Sequence, residues 1–136
     1  MVALPEEVMT ALNDPAASKV LGTRASDGSV NVIPVGSIMA ASPELIAFGA
    51  ILMKDTSKNL EKMRDSGELV SVLVSKETKA YQVKGAVKDY VTSGPLFDKM
   101  NEVLKSLGLQ ARGVWTVEPQ QVWNQSANYE SGKRMA

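Results

Sequence analysis

The residues best equipped for chemistry lie between Met53 and Gly67, in the stretch MKDTSKNLEKMRDSG. Asp55, Thr56, Ser57, Lys58 and Asn59 are consecutive and precede Leu60 and Met63, which share one face of a short helical pattern that Gly67 ends. The first turn of a helix leaves backbone N–H groups without partners and carries a partial positive charge. The hydroxyls of Thr56 and Ser57, the Asn59 carboxamide and the ammonium groups of Lys54 and Lys58 make that turn a place where a phosphate can sit. A second reading uses the same residues: Asp55, Thr56 or Ser57 caps a surface helix and the lysines are merely solvated. The rest of the chain bears on the choice.

Composition removes much of the usual catalytic equipment. No cysteine is present, which excludes disulfides, thiol nucleophiles and iron–sulfur ligands and makes a cytoplasmic protein the simplest reading. No histidine is present either, so a zinc site would need carboxylates alone and a Ser–His or Cys–His pair is impossible. Paired carboxylates for acid–base work do not emerge, because Glu6-Glu7 opens a helix and Asp89 stands alone. Neither a metal site nor a catalytic side chain is assigned. An enzyme built this way leaves its chemistry to a cofactor. Fifteen basic and fifteen acidic residues cancel, so no broad field draws nucleic acid or an acidic membrane. No apolar run reaches the roughly 20 residues that span a bilayer. The acidic flank of MVALPEEVMTAL does not suit a signal peptide.

The elements that must position the 53–67 segment follow from periodicity. The 136 residues suit one domain, 1–136. Leu4 to Asn13 reads as a helix with Pro5 in its first turn and Leu4, Val8, Ala11 and Leu12 on one stripe. Lys19–Ala25 and Val30–Ser37 are strand-like, and Asp27-Gly28 between them is a hairpin signal. Pro34 assigns the second of these to an edge, a bulge or a break. The apolar run Leu45–Leu52 is a buried third strand, Leu69–Ser75 a fourth, and Ala80–Val91 a long fifth. In that fifth strand, Gly85 marks a bulge or a close approach, and Val87 and Tyr90 fail to share a face. Pro95 opens a helix whose stripe Leu96, Met100, Val103, Leu104 and Leu107 is core packing, ended by Gly108. Gly113–Glu118 is a sixth strand, with a further one around Gln121–Trp123. The expected fold is therefore mainly β, a six- to seven-stranded antiparallel barrel with two to three short helices at its edges.

In this order the chain resembles the FMN-binding split-barrel proteins, the pyridoxamine-phosphate-oxidase-like superfamily. The resemblance rests on the hairpin G-T-R-A-S-D-G-S-V-N-V-I-P-V, the apolar third strand, the T-S-K-N-L entry to the central helix and the Q-V-K-G-A-V of the fifth strand. It covers Leu4 to about Trp123. It implies a homodimer with FMN at the subunit interface. Lys54, Thr56, Ser57, Lys58 and Asn59 would form the phosphate cradle, and Asn31, Val32, Ile33 and Pro34 would run beside the isoalloxazine ring. Gln82 and Lys84 are further candidate contacts. Relatives often carry a basic residue immediately before the threonine, where this chain has Asp55, and a carboxylate there opposes a phosphate. The arginine and histidine equipment for pyridoxamine phosphate is missing, which argues against the biosynthetic oxidase itself.

The resemblance implies an oxidoreductase or electron carrier that exchanges electrons with a small-molecule donor or acceptor. A binding module for FMN, deazaflavin or haem is the alternative, and an interaction domain that has lost its ligand is a third. Trp115 and Trp123 are assigned to the core or a dimer contact, and Arg24 to solvent. The polar tail, about 124–136 with Tyr129, is either flexible or crosses to a partner subunit.

Overall fold

Residues that alternate apolar and polar along a strand can bury only one face, and the burial here follows that period. A computed structural model of the protein describes residues 1–51 and 53–136. The elements run α1 (Glu6–Leu12), β1 (Ser18–Arg24), β2 (Val30–Pro34), β3 (Met39–Ser42), β4 (Leu45–Gly49), α2 (Lys54–Ser66), β5 (Leu69–Lys76), β6 (Lys79–Val91), α3 (Pro95–Lys105), β7 (Val114–Asn124) and β8 (Lys133–Arg134). Lys19, Leu21 and Thr23 of β1, Val70, Val72 and Val74 of β5, and Tyr81, Val83 and Val87 of β6 all turn inward. With Phe48, Leu60 and Trp115 most of them close on one core; Leu60 and Met63 bring the inner stripe of α2 into it.

The strands form one antiparallel sheet in the order β2-β1-β5-β6-β7-β4-β3, with β8 added beside β7. The Asp27-Gly28 hairpin joins β1 to β2 as the sequence requires, with Gly28 at φ 86°. Pro34 lies at the end of β2, the edge strand, where a missing N–H breaks no ladder. Both irregularities expected in the fifth strand are present. The β6–β7 register shifts between Lys84 and Gly85 and again between Val87 and Tyr90. A Cβ on Gly85 would overlap Val117 and stand 2.9 Å from the Glu118 carbonyl oxygen, so glycine is required by close approach.

Two features differ from the sequence reading. Met39–Ser42 forms a strand, β3, held by β4, although its composition carries no strong alternation. The sixth strand and the segment near Trp123 are one continuous strand, β7, despite Pro119. Pro119 sits opposite Gly85 at the register shift, where the ladder is already interrupted and no N–H is needed. Residues 133–136 fold back on β7 of the same chain: Trp123 pairs with Arg134, and the Val122 N–H donates to the Ala136 carbonyl at 3.1 Å. Leu52, the last residue of the apolar run, lies outside the described residues. No helix among the described residues is long and apolar enough to cross a membrane.

Candidate functional site

The entry to α2 is built by side chains that face opposite ways. Thr56 is buried, and its Oγ1 accepts a hydrogen bond from Asn31 Nδ2 at 3.1 Å. Asn59 is buried too, and its Nδ2 donates to Thr23 Oγ1 at 3.1 Å. Thr23 and Asn31 are paired across β1 and β2, so the two bonds pin the start of α2 to one hairpin. Lys62 adds a third tie, donating from Nζ to the Ala25 carbonyl at 3.1 Å. On the other side of the same turn Lys54, Asp55 and Lys58 are exposed, and Ser57 is half-buried. The N-cap is Met53, and no side chain caps the helix. The capping alternative is therefore not realised: Thr56, which could have capped, spends its hydroxyl on Asn31. The backbone N–H groups of the first turn have no side-chain partner, and the exposed Lys54 and Lys58 lie on the same turn.

The strand beside this turn has a free edge. The hydrogen bonds Ala25 N–H to Ser29 O at 2.9 Å and Val35 N–H to Lys19 O at 3.0 Å set the phase of the β1–β2 ladder. Antiparallel alternation then directs the backbone groups of Asn31 and Ile33 toward β1. The N–H and C=O of Val32 and the C=O of Pro34 point to the open edge. The side chains alternate as well: Asn31 and Ile33 turn inward, while Val32 and Pro34 face out.

Gln82 and Lys84 belong to that outer face. Cross-strand pairing runs Pro34, Val20, Leu73, Gln82 in one row and Val32, Gly22, Ser71, Lys84 in the next. Three strand spacings separate the ends of each row, about 14 Å, so within one chain Gln82 and Lys84 are not brought to Asn31–Pro34. Gln82 Nε2 donates to Ser71 Oγ at 2.6 Å, and Lys84 Nζ lies 5.5 Å over the Trp123 ring. Between them and the edge lies an apolar strip in which Val30 is 75% exposed, Val32 61%, Leu69 40% and Leu73 37%. Trp115 is in the core, and Trp123 is on the outer face. Arg24 is exposed, with Nη1 3.8 Å from Glu68.

Sequence reasoning did not single out Thr23 or Lys62. Thr23 shares the inward face of β1 with Lys19 and Leu21, so no apolar alternation sets it apart, and its partner lies on an element far along the chain.

No family model matches the chain, and no curated protein matches it in sequence. Solved structures do match in shape. HupZ of Group A Streptococcus superposes with a TM-score of 0.79 at 13% identity, over 98% of this chain and 99% of that one. An FMN-binding protein from Syntrophomonas wolfei subsp. wolfei gives 0.79 at 14% identity, over 90% and 86%. A protein of the pyridoxinephosphate oxidase family from Clostridium acetobutylicum, related to general stress protein 26 of B. subtilis, gives 0.65 at 9% identity, over 97% and 96%. At these identities the likeness is one of fold. The chain has the split-barrel fold that FMN-binding and pyridoxine-phosphate-oxidase-type proteins share, as its sequence resemblance implied.

Proposed function

We propose that the protein binds FMN and exchanges electrons with a small-molecule donor or acceptor, as an oxidoreductase or an electron carrier. One observation carries the reading: an uncapped, lysine-flanked helix start is pinned by the Asn31–Thr56 bond beside the free edge of a strand. A ligand with an anionic tail and a flat ring bearing donors and acceptors along one edge fits that pair of features. Lys54, Lys58, Ser57 and the first-turn amides hold the phosphate. Thr56 and Asn59 act as positioning residues, since their polar atoms are engaged with Asn31 and Thr23. Val32 N–H and C=O and Pro34 C=O meet the polar edge of the ring, and Asn31 and Ile33 set that strand against the barrel. FMN, when bound, supplies the redox chemistry; the chain orients it and tunes it through these hydrogen bonds.

The outer strip of Val30, Val32, Leu69 and Leu73 supports a homodimer, because apolar side chains this exposed on a sheet face favour cover. In such a pair, Gln82 and Lys84 of a second copy reach the ring that they cannot reach within their own chain.

The test is the visible spectrum of freshly purified protein, with the supernatant after heat denaturation beside it. The two visible bands of oxidised flavin, released as free FMN, are the expected result. A protein that stays colourless after incubation with FMN overturns the reading, and a Soret or deazaflavin spectrum replaces the ligand. Bleaching by NADH or NADPH identifies an oxidoreductase, while a bound flavin that neither reduces points to a binding module. Sedimentation should give two chains per particle; a monomer removes the shared site.

A further inference from the structure

Lys19 sits at the opposite end of β1 from Thr23 and is 8% exposed, yet its ammonium makes no hydrogen bond or ion pair with a described residue. The carboxylate that acts on it, Asp14, is already bound by Lys76 Nζ at 2.7 Å and by the Ala16 N–H at 2.8 Å. The Lys19 nitrogen is not sealed in the core. Among the described residues, the polar side-chain atom that is fully buried without a partner is Trp115 Nε1. Lys19 instead lines a groove of about 830 Å³ between the β2–β3 connection and α3, with Ile33, Met39, Ile51, Met100 and Val103 among its walls. No described residue lining it is acidic, and the other charged one is Lys99. Its lip is apolar and open, with Val103 52% exposed, Leu107 69% and Leu109 45%.

We infer that this groove binds a small organic monocarboxylate with an apolar body, its carboxylate on Lys19 and its hydrocarbon along α3. Burying most of a lysine side chain with no counter-charge beside it is costly even where its nitrogen keeps some contact with water, and that burial holds this one below its usual titration range. A carboxylate arriving with an apolar tail removes that cost and covers the exposed side chains together. A volume of this size matches pockets that take compact organic molecules. A neutral or cationic analogue of the same length would leave Lys19 uncompensated or repelled. The groove meets the proposed flavin site at Ile33, Pro34 and Met53, while Lys19 and α3 belong to the groove alone.

Amide chemical shifts of the ¹⁵N-labelled full chain, titrated with octanoate, octanol and octylamine, test it. Octanoate should move signals from residues 33–39 and 99–109, with octanol about tenfold weaker and octylamine weaker still. Lys19→Met should cost octanoate about tenfold and leave octanol unchanged, whereas Lys99→Ala should change little. Octanol binding as tightly as octanoate, Lys19→Met binding octanoate normally, or no shifts in these segments would each overturn the inference. Competitive displacement of octanoate by FMN would do the same, because the groove would then belong to the ring. If Lys19→Met fails to fold, the octanoate–octanol comparison on the unaltered chain decides.

Discussion

At one end of β1, Thr23 is buried and its hydroxyl accepts a hydrogen bond from the Asn59 carboxamide; at the other, Lys19 is nearly as buried and lines an apolar groove. Both side chains point into the same side of the sheet and are separated only by Leu21. The first end is polar and internally satisfied, so its hydrogen bonds spend themselves on holding α2 in place. The second is apolar with one uncompensated charge, so what it lacks must come from outside. Polar groups paired within the chain make a scaffold; a mostly buried charge with no protein partner leaves a place for a ligand's counter-charge.

The sharpest way to separate scaffold from site is to remove the outward charges at α2. Lys54→Ala with Lys58→Ala should weaken FMN binding about a hundredfold, some 2.7 kcal/mol, measured by flavin fluorescence quenching. The thermal midpoint should hardly move, because both side chains are exposed. If affinity survives, the phosphate lies elsewhere. Asn59→Ala attacks the scaffold instead. It strands the buried Thr23 hydroxyl and should cost about 2 kcal/mol of folding stability, read from urea denaturation, with Asn59→Asp unable to replace the lost donor. A fully stable Asn59→Ala would break the contrast between the two ends.

Lys19 gives a third lever, through pH. Burial depresses its titration, so between that lowered value and about 10.4 the unfolded chain binds more protons than the folded one. Stability therefore rises with pH across that window. Asp14 opposes the shift but is itself paired with Lys76. Lys19→Met should flatten this slope and raise stability below the window, as followed by denaturation midpoints at stepped pH. Tyr81, held above its usual value by burial and by Glu7, acts with the opposite sign at higher pH and is common to both proteins. A slope unchanged by the substitution would mean Lys19 is not desolvated. The smallest effect belongs to Asp55→Asn. A carboxylate about 7 Å from a phosphate in a water-like medium costs about 0.6 kcal/mol, so removing it should tighten FMN roughly threefold in the same quenching assay.

Much of the fold was legible in local sequence. The hairpin at Asp27-Gly28, the edge position of Pro34 and the tight approach at Gly85 each follow from what one residue's backbone can or cannot do. So do the inward faces of β5 and β6, because a period of two needs no knowledge of the partner strand. The lysines at the α2 entry were legible for the same reason, as a charge pattern over consecutive positions.

What only the tertiary structure decided is where side chains of ambiguous use were sent. Thr56 read as a cap or a phosphate ligand and Asn59 as a phosphate ligand, until β1 and β2 came beside them and offered Asn31 and Thr23. Pro119 forbids a regular ladder, yet it is harmless opposite a register shift that another strand creates. Gln82 and Lys84 sit three strands away from the residues they were grouped with, a distance set by strand order. Lys19 looks like any strand lysine in the chain, and only the fold makes it a mostly buried side chain at the wall of a groove between the β2–β3 connection and α3. Periodicity is a property of neighbours in sequence, whereas desolvation and hydrogen-bond partnership are properties of neighbours in space.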